Sequence, residues 1–372
     1  MSENKKKKKS AANTAALLPM LVGGIGGFFI GIFLAKNGIN KLPIPIWAEL
    51  LFIIAVFCII IVIHEAGHLV MGLATGYKFI SFRVGPLTFI KEDGKIKLRL
   101  FTVMGTAGQC LLMPPETDSP ENAPYFLYHL GGGLFNSVTA AICGLFMLIT
   151  DSKTADLLLA TAAVLSLFLG LTNLLPMGKA AANDGTNLYL LKKSPSLRIA
   201  LYRQLYINGL LYQGVLPRDI PAEYFADVAD DGKMGIHSCV MPMLKGSLAV
   251  DTKDFTAAQA EFEYILEDEK LIPIYRNECT CELIFCKIMN GASKEEIDEL
   301  YDKTIQSYVK QTKSMLISKR RLLYAYNLIL LGDEKAAEKE YEEAQKMRKT
   351  YPCKGELESE LDIMEYIKEK RI

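Results

Sequence analysis

The stretch "FCIIIVIHEAGHLVMGLATGY", residues 57–77, sets two histidines and a glutamate inside a run otherwise as apolar as a lipid-facing helix. An ionisable side chain at bilayer depth costs at least about 3 kcal/mol, so such residues face a protein interior or a water-filled cavity and carry function. Four apolar runs, Ala16–Ala35, Trp47–Tyr77, Leu130–Thr150 and Ala155–Leu175, have the length of about 20 residues that a bilayer-crossing helix needs. Half of the 372 residues are hydrophobic and the mean hydropathy is positive. The zero net charge hides two unlike halves. Residues 1–185 hold 15 Lys/Arg against 11 Asp/Glu, and residues 186–372 hold 27 against 31. The pattern predicts apolar spans joined to an ordinary soluble part.

The first run follows five lysines, Lys5–Lys9, carries Gly23, Gly27 and Gly31 on one helical face, and lacks a small-x-small cleavage site. It reads as an uncleaved anchor with a glycine packing face, not a signal peptide. The lysine arm, and the loop bearing Lys78, Arg83, Lys91, Lys95, Lys97 and Arg99, place both on the cytosolic side, and four spans return the chain to the cytosol near Pro176. The expected location is the cell membrane, multi-pass, with both termini cytosolic. Eight scattered cysteines show no disulfide-framework spacing and read as reduced thiols.

On a helix His64 and His68 lie four residues apart, so two imidazoles share one face and can ligate one zinc ion. Glu65 is turned about 100° from His64, close enough to touch a zinc-ligated water. This is metalloprotease geometry, with glutamate as general base. Chance recurrence of a five-residue pattern is the competing reading, but the chain has only four histidines and two are here. The third ligand must come from elsewhere. Glu92 lies where a soluble thermolysin-like enzyme would supply one. However, residues 78–113 alternate apolar and polar residues between the turn signals "VGP" and "EDGK", which predicts short strands. Asp184, in "NLLPMGKAAANDGTN", is the first carboxylate after Asp156 and sits beyond the cytosolic end of the fourth span. A carboxylate there completes a three-ligand zinc site with an open fourth position. Helix capping is its competing role, since Asp before Gly and Thr is a common N-cap.

"HEAGH" at 64–68, "GGLFN" at 132–136, "NLLP" at 173–176 and "NDG" at 183–185, in that order, resemble the site-2 proteases, intramembrane zinc metalloproteases with a three-helix core. The likeness covers about residues 47–190. Gly133 stands where the family has a proline, the Pro176–Asp184 loop is three residues longer, and Asn183 replaces the customary leucine. The resemblance implies one zinc per chain on His64, His68 and Asp184, with Glu65 catalytic, and roles for Asn136 and Asn173 in ordering the unwound loop and positioning substrate. An interhelical hydrogen bond is the competing role of each asparagine. The strand-rich insertion offers an edge to which an extended substrate could add.

His129, at the start of the third span, reads as an interfacial residue or an approach to the site. From about Ile236, the segments 246–266, 278–308 and 320–347 read as helical hairpins resembling tetratricopeptide repeats, a surface for a protein partner or a plain helical cap. No basic, aromatic-interleaved pattern points to nucleic acid.

The expectation is a mainly α polytopic membrane protein. Its parts are a basic cytosolic arm (1–15), a first transmembrane helix and outer loop (16–46), a protease-like core (47–190) with a β-rich cytosolic insertion (78–113), a linker or helical connection (191–235) and a tetratricopeptide-like cytosolic domain (236–372). The expected function is zinc-dependent cleavage of a membrane-embedded or membrane-associated protein or peptide near the cytosolic face. The alternative is an inactive membrane scaffold that docks a partner on its helical repeats. The lipid bilayer is a partner under either reading.

Overall fold

The computed structural model describes residues 43–103, 106–176 and 182–370. The basic arm and the first expected span, 16–35, lie outside the described residues. The chain divides into two compact units, residues 1–75 with 124–189, and residues 76–123 with 190–372. Most of the described chain is helical, with one small sheet.

The first unit is built on three helices, each long and apolar enough to cross a membrane. They are α1 (Ile46–Ala74), α2 (Phe126–Met147) and α3 (Lys153–Leu174). Their bounds fall within a few residues of three expected spans. Helix α1 is apolar all round, yet its buried residues, including Val56, Ile60, His64, Gly67, His68 and Gly72, recur every three or four positions and form one stripe. The remaining faces present Leu50, Leu51, Ile54, Phe57 and Val62, all exposed, as a lipid-facing surface does. Glycines set the approach of the helices. A Cβ on Gly67 would strike the backbone of Gly131 and Gly132, and one on Gly133 would strike the Leu174 side chain. The backbones of α1 and α2 therefore touch where both lack side chains.

In the second unit, strands β1 (Lys78–Val84), β2 (Leu87–Glu92), β3 (Lys95–Leu100) and β4 (Gly108–Met113) form an antiparallel sheet in the order β3-β2-β1-β4. The "EDGK" signal is the β2–β3 hairpin. Glu92 pairs with Lys95, and Asp93 and Gly94 both take positive φ, 51° and 75°, as a two-residue type I′ turn requires. Glu92 is 3% exposed and held by Arg99 (3.0 Å) and Lys97 (2.9 Å), which fixes it as part of the sheet.

The 191–235 stretch, a linker or helical connection in the sequence, contains an 18-residue helix. Helix α4 (Asp184–Lys193) runs past residue 190, and Ser194 then caps α5 (Pro195–Tyr212) by accepting from the Leu197 N–H at 2.9 Å. Helices α6 (Val240–Asp251), α7 (Phe255–Leu266), α8 (Pro273–Met289), α9 (Lys294–Leu300), α10 (Lys303–Thr312), α11 (Ile317–Ala325), α12 (Glu334–Lys346) and α13 (Lys354–Lys370) follow. They share one core that includes Phe262, Ile284, Phe285, Leu322, Leu361 and Met364. Within it lies a buried ion network. Lys319 pairs with Glu278 (2.6 Å) and Glu282 (3.5 Å), and Arg321 pairs with Glu282 and with Glu360 (2.9 Å) while lying 3.8 Å over the Phe285 ring. Burial first, and the carboxylates of Glu282 and Glu356 next to it, raise the Glu360 pKa to about 8, although Arg321 works against them. Lys319→Met leaves half-buried Glu278 without its cation and Glu282 with Arg321 alone. It should destabilise this unit by roughly 3–5 kcal/mol, read as a lowered denaturant midpoint of the full chain in detergent.

Candidate metal centre

The histidine pair comes from α1 and the carboxylate from the first residue of α4. Their ligand atoms form a near-equilateral triangle: His64 Nε2 to His68 Nε2, 3.2 Å; His64 Nε2 to Asp184 Oδ2, 3.2 Å; His68 Nε2 to Asp184 Oδ2, 3.4 Å. A zinc ion about 2.0–2.1 Å from each ligand, at tetrahedral angles, spaces them about 3.3 Å apart. Asp184 Oδ2 is buried and makes no hydrogen bond of acceptable geometry, although it lies near both imidazoles. A carboxylate oxygen so placed, close to both Nε2 atoms without an aligned hydrogen bond to either, is suited to a cation between all three groups. Among the described residues this is the one group of His, Cys, Asp and Glu side chains that converges in this way.

The other face of each imidazole is held. His68 Nδ1 lies 2.7 Å from the Tyr128 carbonyl, which can only accept, so Nδ1 carries the proton and the neutral ring keeps its Nε2 lone pair for a metal. His64 Nδ1 lies 3.2 Å from the Asn136 side-chain amide, and Asn136 is completely buried. When His64 ligates through Nε2, its Nδ1–H needs an acceptor. Asn136 Oδ1, buried and unpartnered with the amide in its present orientation, provides one when the amide turns over. Asn136 therefore sits against His64, where it orients the ring. Asn173 does not join the cluster; its amide donates to the Leu169 carbonyl one turn back along α3, at 3.0 Å.

Glu65 is buried in the same stripe of α1, one residue from His64. Gly132 keeps the space beside the pair open, since a Cβ there would come within 2.5 Å of His64 Cε1 and His68 Nε2. The ring of Tyr128 packs edge-on against His68 (centroids 5.8 Å apart) and also touches the ring of His129 (5.0 Å), so His129 stands one ring behind His68.

Asn183 has a positioning role that its sequence context does not show. Its amide donates to the Thr172 and Leu175 carbonyls, at 2.8 and 2.7 Å, while its Oδ1 accepts from the Thr186 N–H and hydroxyl, at 2.9 and 2.7 Å. One side chain thus caps α4 and ties that cap to the C-terminal end of α3, across the lengthened loop. Gly185 completes the junction, because a Cβ there would collide with the Leu174 carbonyl. Asp184 is delivered by its neighbours on both sides. The sequence offered Asp184 as the cap of this helix, but the cap is Asn183, one residue earlier, which leaves the Asp184 carboxylate free to face the histidines.

The chain matches no protein-family model, no curated protein and no solved structure in comparisons with each.

Asn183→Ala should lower zinc affinity by roughly 10–100-fold, measured by competition with a fluorescent chelator. Asn173→Ala should leave it unchanged, separating the two asparagines by a readout independent of activity.

Proposed function

We propose that this chain is an intramembrane zinc endopeptidase of the site-2-protease type, and the observation that carries the reading is the triangle of His64, His68 and Asp184. Its support is the match of that triangle to tetrahedral zinc spacing, together with the order of the "HEAGH", "GGLFN", "NLLP" and "NDG" segments. His64, His68 and Asp184 would hold one zinc per chain. When bound, the ion polarises a peptide carbonyl and brings the pKa of a ligated water towards about 7. Glu65 takes the proton of the attacking water and then delivers it to the leaving amine nitrogen. Asn136 and the Tyr128 carbonyl keep both imidazoles in the ligating tautomer, and Gly132 leaves the site open on one side.

The chain crosses the membrane four times, with the 16–35 segment as the first span and both termini in the cytosol. Helix α1 then runs inward and cleavage falls near the cytosolic face. The substrate is a membrane-embedded or membrane-associated protein or peptide, unwound locally so that its backbone reaches Glu65. The hairpins from α6 onward form a tetratricopeptide-like cytosolic surface for a protein partner.

Glu65→Gln should keep about one zinc per chain and lose cleavage of a reconstituted membrane substrate by at least about 100-fold, while His68→Ala and Asp184→Ala should lose the zinc. Turnover persisting in Glu65→Gln would remove Glu65 from the mechanism. A wild-type chain free of zinc after chelator-free purification would favour the scaffold alternative.

A further inference from the structure

A concavity of about 570 Å³ opens in the second unit between the 227–241 segment and helices α6 and α7. Its size is that of a ligand site, and its chemistry is divided. Buried Met234, Cys239, Met241, Ile265 and Leu271 give it an apolar floor. Five carboxylates, Asp227, Asp230, Glu261, Glu267 and Asp268, line it against one cation, Lys245. Lys245 is committed to Asp227 and, at 3.7 Å, to Glu261. Asp230, Glu267 and Asp268 are exposed and in no ion pair among the described residues. Tyr264, 64% exposed, adds an aromatic face to the wall.

A cavity of this kind fits a peptide that carries lysine or arginine beside apolar side chains. The apolar residues fill the floor, where methionine adapts to varied shapes. The cations meet the unpaired carboxylates, and Tyr264 offers its ring to either kind of side chain. Membrane proteins carry that sequence where a span leaves the bilayer on the cytosolic side, since lysine and arginine accumulate there. We propose that this pocket binds the basic juxtamembrane segment of a membrane-spanning partner on the cytosolic side and so gives the protease a recognition site on its soluble unit. The inference rests on the cytosolic placement of that unit in the function proposed above.

The test uses the full chain in nanodiscs of zwitterionic lipid, so that lysines have no anionic bilayer to bind. A short fluorescent peptide, apolar residues followed by lysines, is titrated by anisotropy. Binding is expected, and it should weaken by roughly tenfold or more when the peptide lysines become glutamates, when salt is raised to about 0.5 M, and in the Glu267→Lys/Asp268→Lys variant. Both substituted residues are exposed, so their reversal leaves the core intact. Tyr264→Ser should weaken binding of the apolar-basic peptide more than that of an all-lysine peptide. Equal binding by the wild-type and charge-reversed chains, or no binding by the wild type, overturns the proposal. Zinc content measured on the same preparations separates the two readings. A zinc-loaded chain that ignores the peptide sinks the pocket alone, whereas a zinc-free chain that binds it sinks the protease and leaves the pocket.

Discussion

The cost of keeping ionisable groups among apolar helices governs the first unit. His64, Glu65, His68 and Asp184 can be buried there only if their charges and lone pairs find partners. The partners are local and specific: a backbone carbonyl behind one imidazole, a buried amide behind the other, and a carboxylate oxygen close to both Nε2 atoms. Gly131 and Gly132 on α2, with Gly67 opposite them, serve the same end, because the close approach they allow brings the Tyr128 carbonyl and the Asn136 amide of that segment against the two imidazoles. Packing and chemistry are thus one constraint in this unit.

The second unit manages buried charge differently. Lys319 and Arg321 are fully buried but never face a single carboxylate; each spans two, and Arg321 also lies on an aromatic ring. Such a network is weak evidence of net stability, since an apolar replacement of all members can do as well. Its firmer consequence is register. Helices α8, α11 and α13 have to meet at particular turns for the charges to pair, which picks one packing among the many that an aliphatic core would accept.

Much of this was legible in the sequence because it depends on local periodicity. A four-residue spacing places two histidines on one helical face wherever the helix sits, and Asp-Gly between alternating residues makes a hairpin whatever covers it. Asp184 could be found by elimination, as the first carboxylate after Asp156, beyond the last apolar run. The positions that serve the ligands were not legible in the same way. Asn136 and Asn173 look alike in sequence, and only the helix crossing decides that one meets His64 while the other bonds back along its own turn. Asn183 looked like a departure from a family pattern, whereas it joins two helix ends across the longer loop.

The Gly67–Gly131 contact has a mechanical side. Because α1 and α2 meet there backbone to backbone, the crossing acts as a pivot, and His64 and His68 both lie within about a turn of it. Tilting α1 by about 10° around that point would carry its far end through roughly 5 Å but the two histidines through less than about 1 Å. Bilayers differ in thickness, and helices answer by tilting. Side chains set beside the fulcrum move several-fold less than the far end of the helix.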